Sequence, residues 1–166
     1  GQKKPFVFDL EKEPESMYNF MIDMINREGK RGHQATFWFF NSNYDMTAVL
    51  RGNYHNENVK YINHKPLIIE IKTEKGTGTI RDLTNLFPKM KLKRLGEIIG
   101  LPKLNMPKAI FSKEQLHDYC LRDCEIQEVA MKKLKEAVNE MYGYKPKKLV
   151  SIYKLGYDLL QFSVSK

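Results

Sequence analysis

Ala35-Thr36-Phe37-Trp38-Phe39-Phe40 runs straight into Asn41-Ser42-Asn43-Tyr44-Asp45. The first six residues are rich in aromatic side chains, as strands are, and the unbroken run points to burial on both faces. Asn41-Ser42-Asn43 then offers side-chain oxygens that satisfy the free N–H groups of a helix's first turn. Tyr44 to Leu50 reads as that short helix, closed by Gly52. A buried strand passing directly into a helix belongs to a layered α/β domain. It also leaves Asp45 just beyond a strand end, where open α/β sheets bind ligands.

Upstream, Lys3 to Asp9 reads as a short buried strand ending in Asp9-Leu10-Glu11. Strand alternation would set Asp9 and Glu11 on one side of the sheet. Pro14-Glu15-Ser16 opens a helix whose apolar stripe is Met17, Phe20, Met21, Met24 and Ile25. Gly29 to His33 is a polar loop. Downstream, Val59 to Ile62 is a short strand. Leu67 to Thr73 and Thr77 to Leu83 form a hairpin around Glu74-Lys75-Gly76. Leu92, Leu95, Ile98 and Ile99 mark a short helix that stops at Gly100, and Lys103 to Phe111 is irregular. A long helix covers Glu114 to Met141, with Leu116, Cys120, Ala130, Leu134, Ala137 and Met141 as its apolar stripe. Leu149 to Phe162 is a last helix. With no repeat and no linker, residues 1–166 read as one domain.

The chain of 166 residues carries 28 Lys and Arg against 20 Asp and Glu, a net charge of +8. That balance favours polyanionic partners. Basic residues gather at Lys89-Met90-Lys91-Leu92-Lys93-Arg94 and at Lys145-Pro146-Lys147-Lys148; the apolar residues mixed into the first point to a basic-faced helix. No apolar run approaches the roughly 18 residues of a membrane span. Cys120 and Cys124 stand four apart on the long helix, which disfavours a disulfide between them, and a reducing, intracellular compartment is expected.

Tyr119-Cys120-Leu121-Arg122-Asp123 puts a phenol and a carboxylate four residues apart on one helical face. With Asp9, Glu11 and Asp45 near apparent strand ends, four carboxylates would hold together only around cations. All-oxygen ligands suit Mg²⁺ or Mn²⁺. Two such ions about 3.5–4 Å apart clamp the attacking and leaving oxygens of a phosphoryl displacement.

Three motifs carry a family resemblance: Phe8-Asp9-Leu10-Glu11, Asn41-Ser42-Asn43-Tyr44-Asp45 and Tyr119-Cys120-Leu121-Arg122-Asp123. Their order and context resemble the DEDDy 3′→5′ exonucleases, closest to the proofreading domains of viral or protein-primed family B DNA polymerases. Ile80-Arg81-Asp82-Leu83-Thr84-Asn85-Leu86-Phe87-Pro88, then Lys91-Leu92-Lys93-Arg94-Leu95-Gly96, is similar to the segment between their second and third motifs. The resemblance spans nearly the whole chain. It implies an RNase H-like (DnaQ-like) fold, a mixed central sheet flanked by helices. It implies that Asp9, Glu11, Asp45 and Asp123 hold two divalent cations, Mg²⁺ or Mn²⁺, while Tyr119 positions the attacking water. The substrate would be the 3′ end of single-stranded DNA, with RNA as the alternative, and the products 5′-mononucleotides. Asn41 and Tyr44 would contact that end, with Lys91, Lys93 and Arg94 as further contributors. A DNA polymerase or replication complex is the implied protein partner. The related histidine class needs His where Asp118 stands, with His117 one position off, so the tyrosine class matches better.

The chain departs from the family in three respects. Asp9 and Asp45 are too close in sequence for the hairpin that the family inserts after its first motif. Either the hairpin is lost, or Phe6 to Asp9 is the hairpin's last strand and the true first motif is absent. In the second case the chain is an inactive or partial module that binds nucleic acid or a polymerase. Asp82 stands where those polymerases usually carry Ser or Thr. They also use a Lys before the third motif, for which Lys103 and Lys108 both qualify. No polymerase palm follows, so a stand-alone enzyme and an excised domain are both compatible.

Overall fold

The computed structural model describes residues 6–50, 53, 56–64, 67–106 and 112–166, without the side chains of residues 43, 44, 63, 64 and 67. The fold is mixed α/β. In chain order the elements are α1 (Ser16–Gly29), β1 (Ala35–Phe39), α2 (Ser42–Leu50), β2 (Val59–His64), β3 (Leu67–Lys72), β4 (Thr77–Asp82), α3 (Leu92–Ile98), α4 (Lys113–Tyr142) and α5 (Ile152–Val164). Backbone contacts group them into two compact units, Phe6–Asn85 and one containing Leu86–Lys166.

In the first unit the strands form a mixed sheet in the order β1-β4-β3-β2. β2, β3 and β4 run antiparallel in succession, and β1 joins β4 in parallel with Phe37 opposite Ile80 and Phe39 opposite Asp82. The β3–β4 loop is closed by Thr73, whose N–H and hydroxyl both donate to the Gly76 carbonyl, at 2.9 and 3.0 Å. Alternation then sorts the side chains. Ile69, Ile71 and Ile80 belong to one buried core with Tyr18, Met21 and Ile25 of α1 and Met46, Val49 and Leu50 of α2. On the other face Trp38 lies opposite Arg81, whose guanidinium sits 5.8 Å from the indole centroid.

The strand buried on both faces is β4, not β1. Thr36 is exposed and Phe37, Trp38 and Phe39 are only half-buried. β1 is an edge of this sheet, with β4 as its neighbour, and its aromatic bulk covers exposed ground that a central strand would not have. The strand expected over Lys3 to Asp9 is also corrected. Residues 6–9 are irregular, and residues 3–5 lie outside the described set, as does Gly52. Phe6 and Phe8 find their apolar partner in Phe20 of α1, at centroid distances of 4.8 and 5.2 Å, rather than in a strand ladder. The expected helices and the hairpin form, the last helix running over Ile152–Val164 rather than Leu149 to Phe162, and the strand after Val59 extends to His64.

In the second unit α3 meets α4 at Gly96, where an added Cβ would lie 3.0 Å from Ile126 Cδ1. α4 starts at a reciprocal Ser112–Gln115 capping box and ends at Gly143, whose φ of 65° suits glycine. Its buried residues are Ile126, Ala130 and Val138. Leu116, Cys120, Ala137 and Met141, expected on the apolar stripe, are exposed.

α1 seats on the sheet because Gly78 of β4 leaves room for Ile25: an added Cβ there would come within 2.5 Å of the Ile25 side chain. Gly78→Val should therefore overpack the core and lower unfolding stability by about 1–3 kcal/mol. In urea denaturation, Ile25→Ala should be less harmful in the Gly78→Val background than alone. Independent, additive losses would show that Gly78 does not set this packing.

Candidate active site

The second-motif residues are organised by a group that the sequence reading gave no role, Asp82. It ends β4 and is 6% exposed. Its Oδ1 accepts from the backbone N–H of Asn41 at 3.1 Å and of Thr84 at 2.9 Å, and from the Thr84 hydroxyl at 2.7 Å. Its Oδ2 accepts from the N–H and the hydroxyl of Ser42, both at 2.8 Å. The N–H groups at the start of α2 thus find their acceptor on a neighbouring strand. Asn41 bends the chain between β1 and α2 at a φ of 58°, which Asn tolerates better than most residues. Burial works to raise the Asp82 pKa, but the hydrogen bonds from Thr84 and Ser42 prevail and hold it below the usual carboxylate range.

Asp45 lies in the first turn of α2 and is half-buried. Burial first, and then the charge of Asp82, push its carboxyl above the usual range. A helix N-terminus favours an ionised carboxylate; here desolvation and the like charge prevail. Tyr44 is also on α2, and the reading of its side chain falls outside the described residues. Asn41 is exposed, with its backbone N–H engaged by Asp82.

The third-motif residues lie on α4 as expected, and a lysine joins them. Lys103 Nζ is 3.0 Å from Asp123 Oδ2 and 4.9 Å from the centre of the Tyr119 ring. Burial works to lower the Lys103 pKa, but hydrogen bonds from its ammonium to Tyr119 and Asp123, with their charges, raise it. Its loop is tied down by Arg122, which donates from Nη1 to the Pro102 carbonyl at 2.9 Å. Asp123 Oδ1 is buried with no hydrogen-bond partner among the described residues. Tyr119 and Asp123 continue, at three- and four-residue steps, the seam of Ile126 and Ala130 that α4 buries. Of the two lysines before the third motif, Lys103 is the one seen at this site; Lys108 lies outside the described residues.

Asp9 and Glu11 do not sit at a strand end. They are exposed in a turn in which the Asp9 carbonyl accepts from the N–H groups of Lys12 and Glu13, at 3.2 and 2.9 Å. The alternation argument that put them on one side of a sheet therefore does not apply. Lys91, Lys93 and Arg94 are exposed around the start of α3, whose buried residues are Leu95 and Gly96, and Arg94 pairs with Glu97 at 3.2 Å. Among the described residues no group of three His, Cys, Asp or Glu side chains is placed to hold a metal ion, and no helix is long and apolar enough to cross a membrane. Comparison of the chain with protein-family models, with curated proteins and with solved structures found no match.

The two carboxylates of the second-motif corner should act on stability with opposite sign. Asp82 has a depressed folded pKa, so its contribution is complete above the usual carboxylate range near 4 and is lost as pH falls through the folded value. Asp45 has a raised folded pKa, so its ionisation lowers stability as pH rises from the unfolded to the folded value. Asp82→Asn should cost about 3 kcal/mol at pH 7, because buried N–H donors lose a charged acceptor, and less at pH 2. Asp45→Asn should stabilise at pH 7 and change little at pH 2. Denaturation at both pH values checks this; equal losses for both variants at pH 7 would contradict the assignment.

Proposed function

We propose that this chain is a metal-dependent 3′→5′ exonuclease that releases 5′-mononucleotides from single-stranded DNA ends. Its RNase H-like (DnaQ-like) assignment is part of the same reading. The observation that carries it is the Lys103–Tyr119–Asp123 arrangement. A phenol and a carboxylate share one helical face, and an ammonium group contacts both. That set suits attack on a phosphodiester. The Tyr119 hydroxyl holds the attacking water in line with phosphorus. The Lys103 ammonium pairs with Asp123 and offers positive charge to the phosphate oxygens. Asp45 supplies a second carboxylate. RNA ends are the alternative substrate, and a DNA polymerase or replication complex is the protein partner the motifs imply.

The fit to divalent cations rests on the buried Asp123 Oδ1, which lacks a donor among the described residues. Asp123 is the ligand this feature supports, with Asp45, Asp9 and Glu11 added by the motif resemblance. Mg²⁺ or Mn²⁺ bound there would lower the pKa of the attacking water and neutralise developing charge.

The exposed turn that holds Asp9 and Glu11 favours a second reading, a strand-binding module without catalysis. One assay separates them: a single strand labelled at its 5′ end, incubated with Mg²⁺, with Mn²⁺ and with EDTA. The enzyme reading expects a ladder shortened one nucleotide at a time with either metal and none with EDTA. Tyr119→Phe should slow cleavage by roughly 10- to 100-fold, about 1.4–2.7 kcal/mol of barrier, and leave strand binding intact. Asp123→Ala should reduce it by at least about 1,000-fold, since a metal ligand is lost with the carboxylate. Wild-type protein that binds the strand but never shortens it would reject the enzyme reading in favour of the second.

A further inference from the structure

A cleft of about 310 Å³ opens between α1 and the β3–β4 hairpin, and none of the residues placed in the candidate active site lines it. This is the lower end of the volumes that hold small ligands, roughly 300–1,000 Å³, and it is sized for a single nucleotide. Tyr18, Ile22 and Asn26 line it from successive turns of one face of α1. Lys72, Glu74 and Lys75 line it from the hairpin.

These residues fall into three chemical zones. Half-buried Ile22 and the remaining exposed edge of Tyr18 give an apolar patch for a flat ring. Asn26 carries a buried Oδ1 with no hydrogen-bond partner. Asn26 lines the cleft, so a donor entering there would satisfy that oxygen. An Asn edge pairs with adenine, accepting from N6–H and donating to N7. Lys72 and Lys75 bring ammonium groups for a phosphate. Lys72 makes a long contact of 3.8 Å to Glu70. Glu74 adds an acceptor suited to sugar hydroxyls.

We propose that this cleft is an adenylate site, with the base on Tyr18 and Ile22 against the Asn26 amide and the phosphate on Lys72 and Lys75. The ligand is either free AMP or an adenylate within a strand; the recognition chemistry is the same. The site stands independently of the exonuclease reading.

The test is a titration of the full ¹⁵N-labelled chain, in EDTA so that no hydrolysis enters, followed by amide correlation spectra. The added ligands are AMP, GMP, adenosine, inorganic phosphate and an oligo(dA) without terminal phosphate. AMP should shift the Asn26 side-chain amide and the backbone of Lys72 to Lys75 saturably. It should bind at least about tenfold tighter than GMP, adenosine or phosphate. Lys75→Gln, at an exposed hairpin position, should weaken AMP several-fold and leave adenosine unchanged. Asn26→Asp should erase the preference for AMP over GMP. Oligo(dA) binding tighter than AMP at the same residues assigns the site to a strand; weaker binding assigns it to the free nucleotide. Absence of saturable shifts, or phosphate or GMP binding as tightly as AMP, would overturn the proposal.

Discussion

The Asp82 carboxylate accepts from three backbone N–H groups and two hydroxyls, those of Asn41, Ser42 and Thr84. A buried carboxylate is costly unless its oxygens are filled, and here both are. The arrangement joins the ends of β1 and β4, supplies the acceptor for the start of α2, and holds Asn41 in its left-handed turn. Asp45 is placed in the first turn of α2 by that start, and its acidity is set in part by the same charge. The geometry of the second-motif corner therefore follows from one side chain on a strand distant in sequence.

The α4 site uses a different physical device. Tyr119 and Asp123 belong to a helix long enough to be rigid, on the face that continues into its buried seam. Lys103 reaches them from a loop that Arg122 anchors through the Pro102 carbonyl. An ammonium between a phenol and a carboxylate is charge already positioned by the fold, as the proposed phosphodiester chemistry would need. The remaining oxygen of Asp123 is buried without a donor, the kind of group that metal coordination satisfies.

Much of this was legible from local chemistry. The Glu74-Lys75-Gly76 hairpin and the start of α4 each depend on neighbours within a few residues. What was not legible depends on tertiary partners. Phe6 and Phe8 look like strand residues, but their apolar surface is taken up by Phe20. The β1 aromatics look doubly buried, yet an edge strand leaves them half-covered. On α4 several apolar stripes compete, and only packing at Gly96 selects the one through Ile126 and Ala130. Asp82 was visible as a departure from a pattern. Its role needed donors from β1 and α2, although the Asp-x-Thr turn with Thr84 was a local hint. Lys103 and Lys108 were equivalent until a loop path was known.

The central proposal is that the Tyr119–Asp123 face of α4 carries a metal-dependent chemistry. Line broadening by substoichiometric Mn²⁺ in amide correlation spectra tests it without any substrate. The account predicts that signals around Asp123 and Tyr119 broaden, that EDTA restores them, and that Asp123→Ala weakens the effect there. No broadening at these residues, or broadening scattered over exposed carboxylates such as Asp9 and Glu11 alone, would contradict it.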